Sequence, residues 1–461
     1  MNHHYGSNAC KRMVLAASIA FMAGFPPVVH PQVLHEPEPG LTPGVKLTNI
    51  SNVPHDEWTS VFPMVAVSRS NPKIVAVAWR RFAMPVFAVT SVEQSEQCYV
   101  SLSKDGGKTF SITDERPYLT VDGDGSLEHP NLVNCNAPFI AIANDGTLYA
   151  GGTNTPANNY NPSNARLGVI VSYDLGASWS QSVFGITMDR LAPGLTGLNG
   201  GMKATDTPAD GANGIVDPQT GTFYAATSRY ISASHDRGKT FGTVYASYGT
   251  ASAAFGTLVA AVNETKFQDG KCPCLVVSIS RDEGKTWSRN IVAQVGQWDP
   301  TGTVRYPIAA ADPAKAGSYA VGVYAPDHKS IQVYYTADDG KTWKMAAPKP
   351  IPPTISFNTV SQVDTGYTSD GRILVTWRAW RNVAAHNTFV AMLDGDTFGP
   401  TVKVTPELSI DPPMTFAGWY SGDFTNWVTG NDTDAYVAFV FAPKGQNEDT
   451  WLARVPLSLL K

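Results

Sequence analysis

No run of lysine or arginine occurs in this chain, and charged residues make up only 16% of it. With 34 basic against 39 acidic residues the net charge is −5. A basic nucleic-acid surface is not expected, because such binding draws much of its strength from cations set along phosphates. No segment carries apolar residues at helical spacing over a useful length, which argues against a helical protein. Long apolar runs are scarce too. The run Met13–Phe25 is far short of the ~20 residues that cross a bilayer, and nothing later in the chain is apolar enough to span one. Lys11 and Arg12 precede that run, and a basic stretch before a short apolar one reads as a secretory leader. Residues 1–30 are assigned to the leader, 31–44 to a Pro-rich linker and 45–461 to a single domain. The alternatives for the first segment are a disordered leader or a weak anchor. The mature chain is expected to be soluble and exported.

Cysteine is sparse as well. Cys10 leaves with the leader, and Cys98, Cys135, Cys272 and Cys274 remain. An even count in an exported chain suggests disulfides, with Cys98–Cys135 the preferred pair. The tight Cys272-Pro-Cys274 reads as a disulfide or, second, a soft-metal site. No metal is assigned.

Glycine and proline are abundant, at 40 and 33 residues, as in a chain of short strands and tight turns. Self-comparison shows why. Ser103-Lys-Asp-Gly-Gly-Lys-Thr-Phe110 recurs as Ser172-Tyr-Asp-Leu-Gly-Ala-Ser-Trp179, Ser234-His-Asp-Arg-Gly-Lys-Thr-Phe241, Ser280-Arg-Asp-Glu-Gly-Lys-Thr-Trp287 and Thr336-Ala-Asp-Asp-Gly-Lys-Thr-Trp343. A decayed copy ends at Asp394-Gly-Asp-Thr-Phe398. The Asp can accept hydrogen bonds from N–H groups two or three residues on, the Gly can supply a positive φ, and the aromatic can plug the turn against apolar surface. Asp105, Asp174, Asp236, Asp282 and Asp338 are therefore read as structural.

Each copy follows an apolar or alternating strand, and the copies recur roughly every 58 residues, a spacing that suits four-stranded propeller blades. The domain length then predicts an all-β propeller of seven blades, six being possible. Inner strands are expected near Phe62, Asn136, Gly214, Ala253, Tyr306, Thr359 and Asp423. Val45–Ile50 is expected to close the ring against Trp451–Leu457. Two stacked β-sandwiches are the alternative fold.

In such a disc the repeated turns join third to outer strands. They share a face with the first-to-second turns, such as Asp217–Gly221 and Asp312–Gly317. The opposite face, where the channel opens, gathers the links between blades and is the expected ligand face. Trp79-Arg80-Arg81, Trp377-Arg378, Trp380-Arg381, Arg229-Tyr230 and Arg305-Tyr306 fall there. Guanidinium groups bind carboxylates through paired hydrogen bonds, and indoles offer flat faces to sugar rings. Arg80, Arg229, Arg305 and Arg378, with Trp79 and Trp377, are the candidate substrate-binding residues, and rim residues paired with acids are the alternative. Among many acids in the layer, Glu264 and Asp299 stand with Tyr420. His129, His328 and His386 share it.

The repeated octapeptide resembles the Asp-box (BNR) repeat, and the chain is similar in this to the sialidases. That resemblance implies an Arg-Ile-Pro motif on the first inner strand, further arginines, a Tyr/Glu nucleophile couple and an Asp. Here Val61-Phe62-Pro63 stands at the motif's place, and Arg305-Tyr306-Pro307 resembles it in the fifth unit. Gly418-Trp-Tyr420-Ser421 is similar to the surroundings of the sialidase tyrosine. Tyr420, Glu264 and Asp299 are thus the catalytic candidates that the resemblance implies. The expected function is a secreted, sialidase-like glycoside hydrolase acting on a sialic or uronic acid-containing glycan. A non-catalytic glycan- or protein-binding propeller is the first alternative. A polysaccharide lyase using Arg378, His386 and Tyr420 is the second. The expected partner is an acidic glycan or glycoconjugate, with no cofactor, no nucleic acid and no membrane after leader removal. The chain is expected to be a monomer.

Overall fold

A computed structural model describes residues 40–51, 58–83, 96–112, 132–156, 166–180, 182–187, 190–195, 213–264, 267, 272–295, 307–382, 385–410, 426–443 and 448–461. These residues form seven antiparallel sheets, each the blade of a propeller. Strand β1 (Lys46–Asn49) comes first in the chain. Blade 1 holds β2 (Trp58–Val67), β3 (Val75–Ala83), β4 (Glu96–Ser103) and β5 (Ser111–Ile112). Blade 2 holds β6 (Leu132–Ile142), β7 (Leu148–Pro156), β8 (Arg166–Ser172) and β9 (Val183–Ile186). In blade 3 are β10 (Asn213–Val216), β11 (Phe223–Ala226), β12 (Tyr230–Ser234) and β13 (Tyr245–Ala246). Blade 4 follows with β14 (Thr250–Ala254), β15 (Thr257–Glu264), β16 (Cys274–Ser280) and β17 (Ser288–Gln294). Blade 5 has β18 (Ala309–Ala311), β19 (Tyr319–Tyr324), β20 (Ile331–Thr336) and β21 (Lys344–Ala346).

Blade 6 has β22 (Thr359–Tyr367), β23 (Ile373–Asn382), β24 (Ala385–Asp394) and β25 (Thr397–Phe398). Its outer edge is extended by β26 (Val402–Lys403) and β27 (Ser409–Ile410), both on β24. Blade 7 comprises β28 (Trp427–Gly430), β29 (Asp434–Phe441) and β30 (Asp449–Pro456), completed by β1. The register Lys46↔Arg454 to Asn49↔Trp451 closes the ring, as the sequence predicts. The closure also explains the repeat count. Blade 7 takes its outer strand from the start of the chain and has no third-to-outer turn in which a copy could sit. No α-helix occurs among the described residues.

The repeated turns lie between third and outer strands and share one hydrogen-bond pattern. In the first, Ser103 Oγ accepts from Gly107 N at 2.8 Å and donates to Asp105 Oδ1 at 2.7 Å. Asp105 Oδ1 accepts from Thr109 N at 3.0 Å, and Oδ2 accepts from the Thr109 hydroxyl at 2.6 Å. The same bonds recur about Asp174, Asp236, Asp282 and Asp338. The main partner thus lies four residues on, farther than an Asx turn reaches, because two successive residues turn left-handed. One is the Gly, as at Gly238 (φ 80°) and Gly284 (φ 88°). The other is the residue before it: Leu175 (56°), Arg237 (64°), Glu283 (62°) and Asp339 (66°). The decayed copy is a plain two-residue hairpin, with Leu393↔Phe398 and Asp394↔Thr397 in register.

The core is divided among the seams between blades. Phe223 of β11 stacks on Tyr149 of β7 with centroids 4.1 Å apart, and Phe139 of β6 packs beside them. Gly214 of β10 admits that ring, since a Cβ there would come within 2.3 Å of Phe139. The turn aromatics do as expected. Trp287 joins the apolar cluster of Tyr224, Ile231 and Leu258, and its Nε1 donates to Ala246 O at 2.8 Å. Cys272 and Cys274 are bonded to each other. Cys98 is disulfide-bonded, while the side chain of Cys135 lies outside the described residues.

Candidate functional site

The face that carries the repeated turns is knitted together by short turns. Gly106 N donates to Lys73 O, so the repeated turn and the first-to-second turn of blade 1 lie together. Asn144 Nδ2 of blade 2 donates to Pro218 O of blade 3, and Gln219 Nε2 of blade 3 reaches Pro313 O of blade 5. Arg69 Nη2 of blade 1 reaches Ser369 O of blade 6. Side chains that bridge non-adjacent blades narrow this end of the axis. The opposite end is the mouth expected from the sequence, and most of its connecting segments lie outside the described residues.

Towards the mouth, three inner strands bulge. Their register slips between Val61 and Met64 in β2, Asn136 and Phe139 in β6, and Ser361 and Asp364 in β22. Each bulge holds a left-handed residue that is not glycine: Phe62 (φ 55°), Ala137 (49°) and Gln362 (56°). Such a conformation is uncommon for residues with a Cβ. Bulges of this kind recur beside active sites, where they re-aim a side chain. Pro63 and Pro138 follow two of them, and a Pro inside a strand is confined to edges and bulges. That pair of prolines is the signal by which the sequence alone could have located them.

Arg80 and Arg378 occupy equivalent places, since each pairs with the last residue before the bulge, Val61 and Ser361. The structure does not bring them together. Along β3, Arg80 shares a face with Ala78, which packs with Phe139 of blade 2. Its guanidinium lies 5.3 Å from the centre of the Phe62 ring. Arg378 faces the next seam, towards blade 7, where its Nε donates to Asn426 Oδ1 at 3.0 Å. Arg378 is fully buried and Arg80 is 9% exposed. Arg80 and Arg378 therefore line different seams, while Arg305, another of the expected cluster, lies outside the described residues. Arg229 is exposed on the tight second-to-third turn of blade 3.

Trp79 and Trp377 do not offer faces to a sugar. Trp79 is buried towards blade 7, stacked on Tyr99 at 4.5 Å with Nε1 donating to Ser101 Oγ. Trp377 is buried towards blade 5 against Phe389. Both belong to the core because each lies one residue from its arginine on an alternating strand. Burial raises the Tyr99 hydroxyl pKa, opposed by the charge and hydrogen bond of Arg81. His386 is also fully buried, its ring 4.6 Å from Trp380, so it has no access to a bound uronate.

Glu264 ends β15, and its Oε1 accepts from Arg289 Nη2 of the outer strand β17 at 2.6 Å. The Arg289 guanidinium lies 4.1 Å from the Tyr248 ring centre. This carboxylate leans outward across its blade, away from the inner strands. Tyr420, Asp299 and Arg305 lie outside the described residues, as do Asp423 and His129. No cluster of three metal-ligating side chains occurs among the described residues.

Sequence reasoning missed Asp364, next to the β22 bulge. Its Oδ2 accepts from Val428 N of blade 7 at 2.6 Å and its Oδ1 from Thr365 N at 2.7 Å. Full burial drives its pKa well above the ordinary carboxylate value, against the pull of those two bonds.

No family model matches the chain, and no curated protein does. Solved structures are similar to it at low identity. A protein of unknown function from Dyadobacter fermentans is 13% identical with a TM-score of 0.48, over 90% of this chain and 100% of that one. A Hadza microbial sialidase is 12% identical with a TM-score of 0.47, over 90% of this chain and 69% of that one. The sialidase of Trypanosoma rangeli is 12% identical with a TM-score of 0.43, over 90% of this chain and 60% of that one. The seven sheets make the chain a seven-bladed β-propeller, and sialidases are among the solved structures similar to it at low identity. No helix among the described residues is long and apolar enough to cross a membrane.

Proposed function

We propose that the protein is an exported, sialidase-like glycoside hydrolase that engages an acidic glycan at the mouth of the propeller, on the face opposite the Asp-box turns. The observation that carries this reading is the set of bulges at Phe62, Ala137 and Gln362, each non-glycine and left-handed. They lie on inner strands towards the mouth, while turns bridge the other end. Arg80 beside the first bulge and exposed Arg229 supply positive charge there, and a carboxylated sugar is the matching ligand. Tyr420 remains the proposed nucleophile and Asp299 the proposed acid. Glu264, held by Arg289, takes no part.

A second reading, a non-catalytic glycan-binding propeller, is favoured by that engagement of Glu264 and by Val61 where a sialidase arginine would stand. Release of free sialic acid from a fluorogenic sialoside, lost in Tyr420→Phe, supports hydrolysis. Retention on acidic glycans without turnover supports the binder. Arg229→Ala and Arg305→Ala are expected to weaken binding of acidic over neutral glycans while leaving the melting temperature in place. Equal binding of both glycan types by the unaltered protein refutes the proposal.

A further inference from the structure

The turn-bearing face holds a cavity of its own. It lies where the first-to-second turns of blades 1, 6 and 7 meet, and its volume is about 340 Å³. Its walls are set by hydrogen-bonded turns rather than by free loops. Asn71 N donates to Ser68 Oγ at 3.2 Å, and Lys73 N donates to Asn71 Oδ1 at 3.2 Å. Across the cavity, Asn431 Oδ1 accepts from Thr433 N at 2.9 Å and Asp434 N at 2.8 Å. The floor is Tyr436, whose hydroxyl donates to Gly106 O at 3.2 Å.

Three cations reach this space: Arg69, Lys73 and Arg454. Its two carboxylates, Asp432 and Asp434, are taken by hydroxyls. Ser369 Oγ donates to Asp432, and Thr433 Oγ1 donates to Asp434 at 2.8 Å. Lys73 and Arg454 form no ion pair among the described residues. Arg69 gives Nη2 to Ser369 O, while its Nη1 is buried and meets no acceptor among the described residues. A buried donor of that kind is costly unless something accepts from it. Asp312 and Asp432 attract the Arg69 charge without closing on it. With Asp312 counted, three cations face three carboxylates, and none of the three cations is closed into an ion pair among the described residues, so their donors are left for an acceptor from outside.

We propose that this cavity binds a small oxyanion, the sulfate, phosphate or carboxylate group of a ligand, between Arg69, Lys73 and Arg454. The guanidinium of Arg69 gives it directed hydrogen bonds, and Lys73 closes on it from the exposed rim. The site lies on the face opposite the mouth and is independent of the glycan reading.

Calorimetric titration of the whole protein with sodium sulfate, sodium phosphate and sodium acetate, each at matched ionic strength, tests it and separates the three chemistries. Saturable binding of at least one is expected. The double variant Lys73→Ala/Arg454→Gln should weaken it at least fivefold. Both substitutions lie outside the core, and an unchanged melting temperature in sodium chloride shows that the variant is folded. Lys239→Ala, an exposed cation on the blade 3 turn outside both sites, should bind as the unaltered protein does. Absence of saturable heat with all three anions, or equal affinity in the double variant, overturns the proposal.

Discussion

Replacing Asp282 by alanine isolates what one repeated turn contributes. Its carboxylate accepts from Thr286 N at 2.9 Å, from Thr286 Oγ1 at 2.6 Å and from Ser280 Oγ at 2.8 Å. Alanine removes all three bonds. The turn is at the surface, so water recovers part of each, and a net loss of about 1–2 kcal/mol is expected. Two left-handed residues, Glu283 and Gly284, then lose the bonds that hold them, which favours the upper end of that range. Asp282→Asn keeps one acceptor oxygen and should cost less than half as much. Urea unfolding gives the comparison through the midpoint at constant slope. The pH dependence supplies an independent arm. Burial opposes ionisation of Asp282, but the hydrogen bonds outweigh it and lower its pKa; the bonds from Ser178 and Thr342 hold Asp174 and Asp338 at about 2. A depressed folded pKa means stability that is present above the ordinary carboxylate value of 3.8 and lost as pH falls towards about 2. The unaltered protein should therefore lose stability over that window, and Asp282→Ala should lose less. A cost below about 0.5 kcal/mol, or equal costs for the Ala and Asn variants, would refute the reasoning.

Asp364 has the opposite sign. Its raised folded pKa makes its contribution complete below the unfolded value and diminished as pH rises towards the folded one. Asp364→Asn should gain in relative stability in urea melts as pH rises above the ordinary carboxylate value of 3.8, and a pH-independent difference would contradict this. Arg190→Ala should lower stability by about 2 kcal/mol, since its guanidinium ties Phe184 O and Gly185 O of blade 2 to Phe241 O of blade 3. In thermal scans of both variants, Arg190→Lys should rescue little of that, because one ammonium cannot span all three carbonyls. Gly214→Ala should cost about 1–3 kcal/mol or more by driving a Cβ into Phe139, and a neutral result in calorimetry would show that the seam can relax.

The seven blades, the ring closure and the place of the repeated turns could be read from residue order alone. The reason is that a turn of the form Ser-x-Asp-x-Gly-x-Thr makes its bonds within itself, so its chemistry is local and its spacing reports the blade. Strand alternation was equally legible, yet it did not reveal where Arg80 and Arg378 point. A bulge of one extra residue exchanges the faces of the inner strand beside them, and it is packing against neighbouring blades that selects the bulge. Phe62-Pro63 and Ala137-Pro138 carry a trace of that choice, but Gln362-Val363 carries none. Burial of Trp79 and Trp377, the outward tie of Glu264 to Arg289, and the gathering of Arg69, Lys73 and Arg454 were decided by tertiary structure for one physical reason. Each depends on which side chains from blades distant in sequence arrive at the same seam, and no local rule sets that meeting.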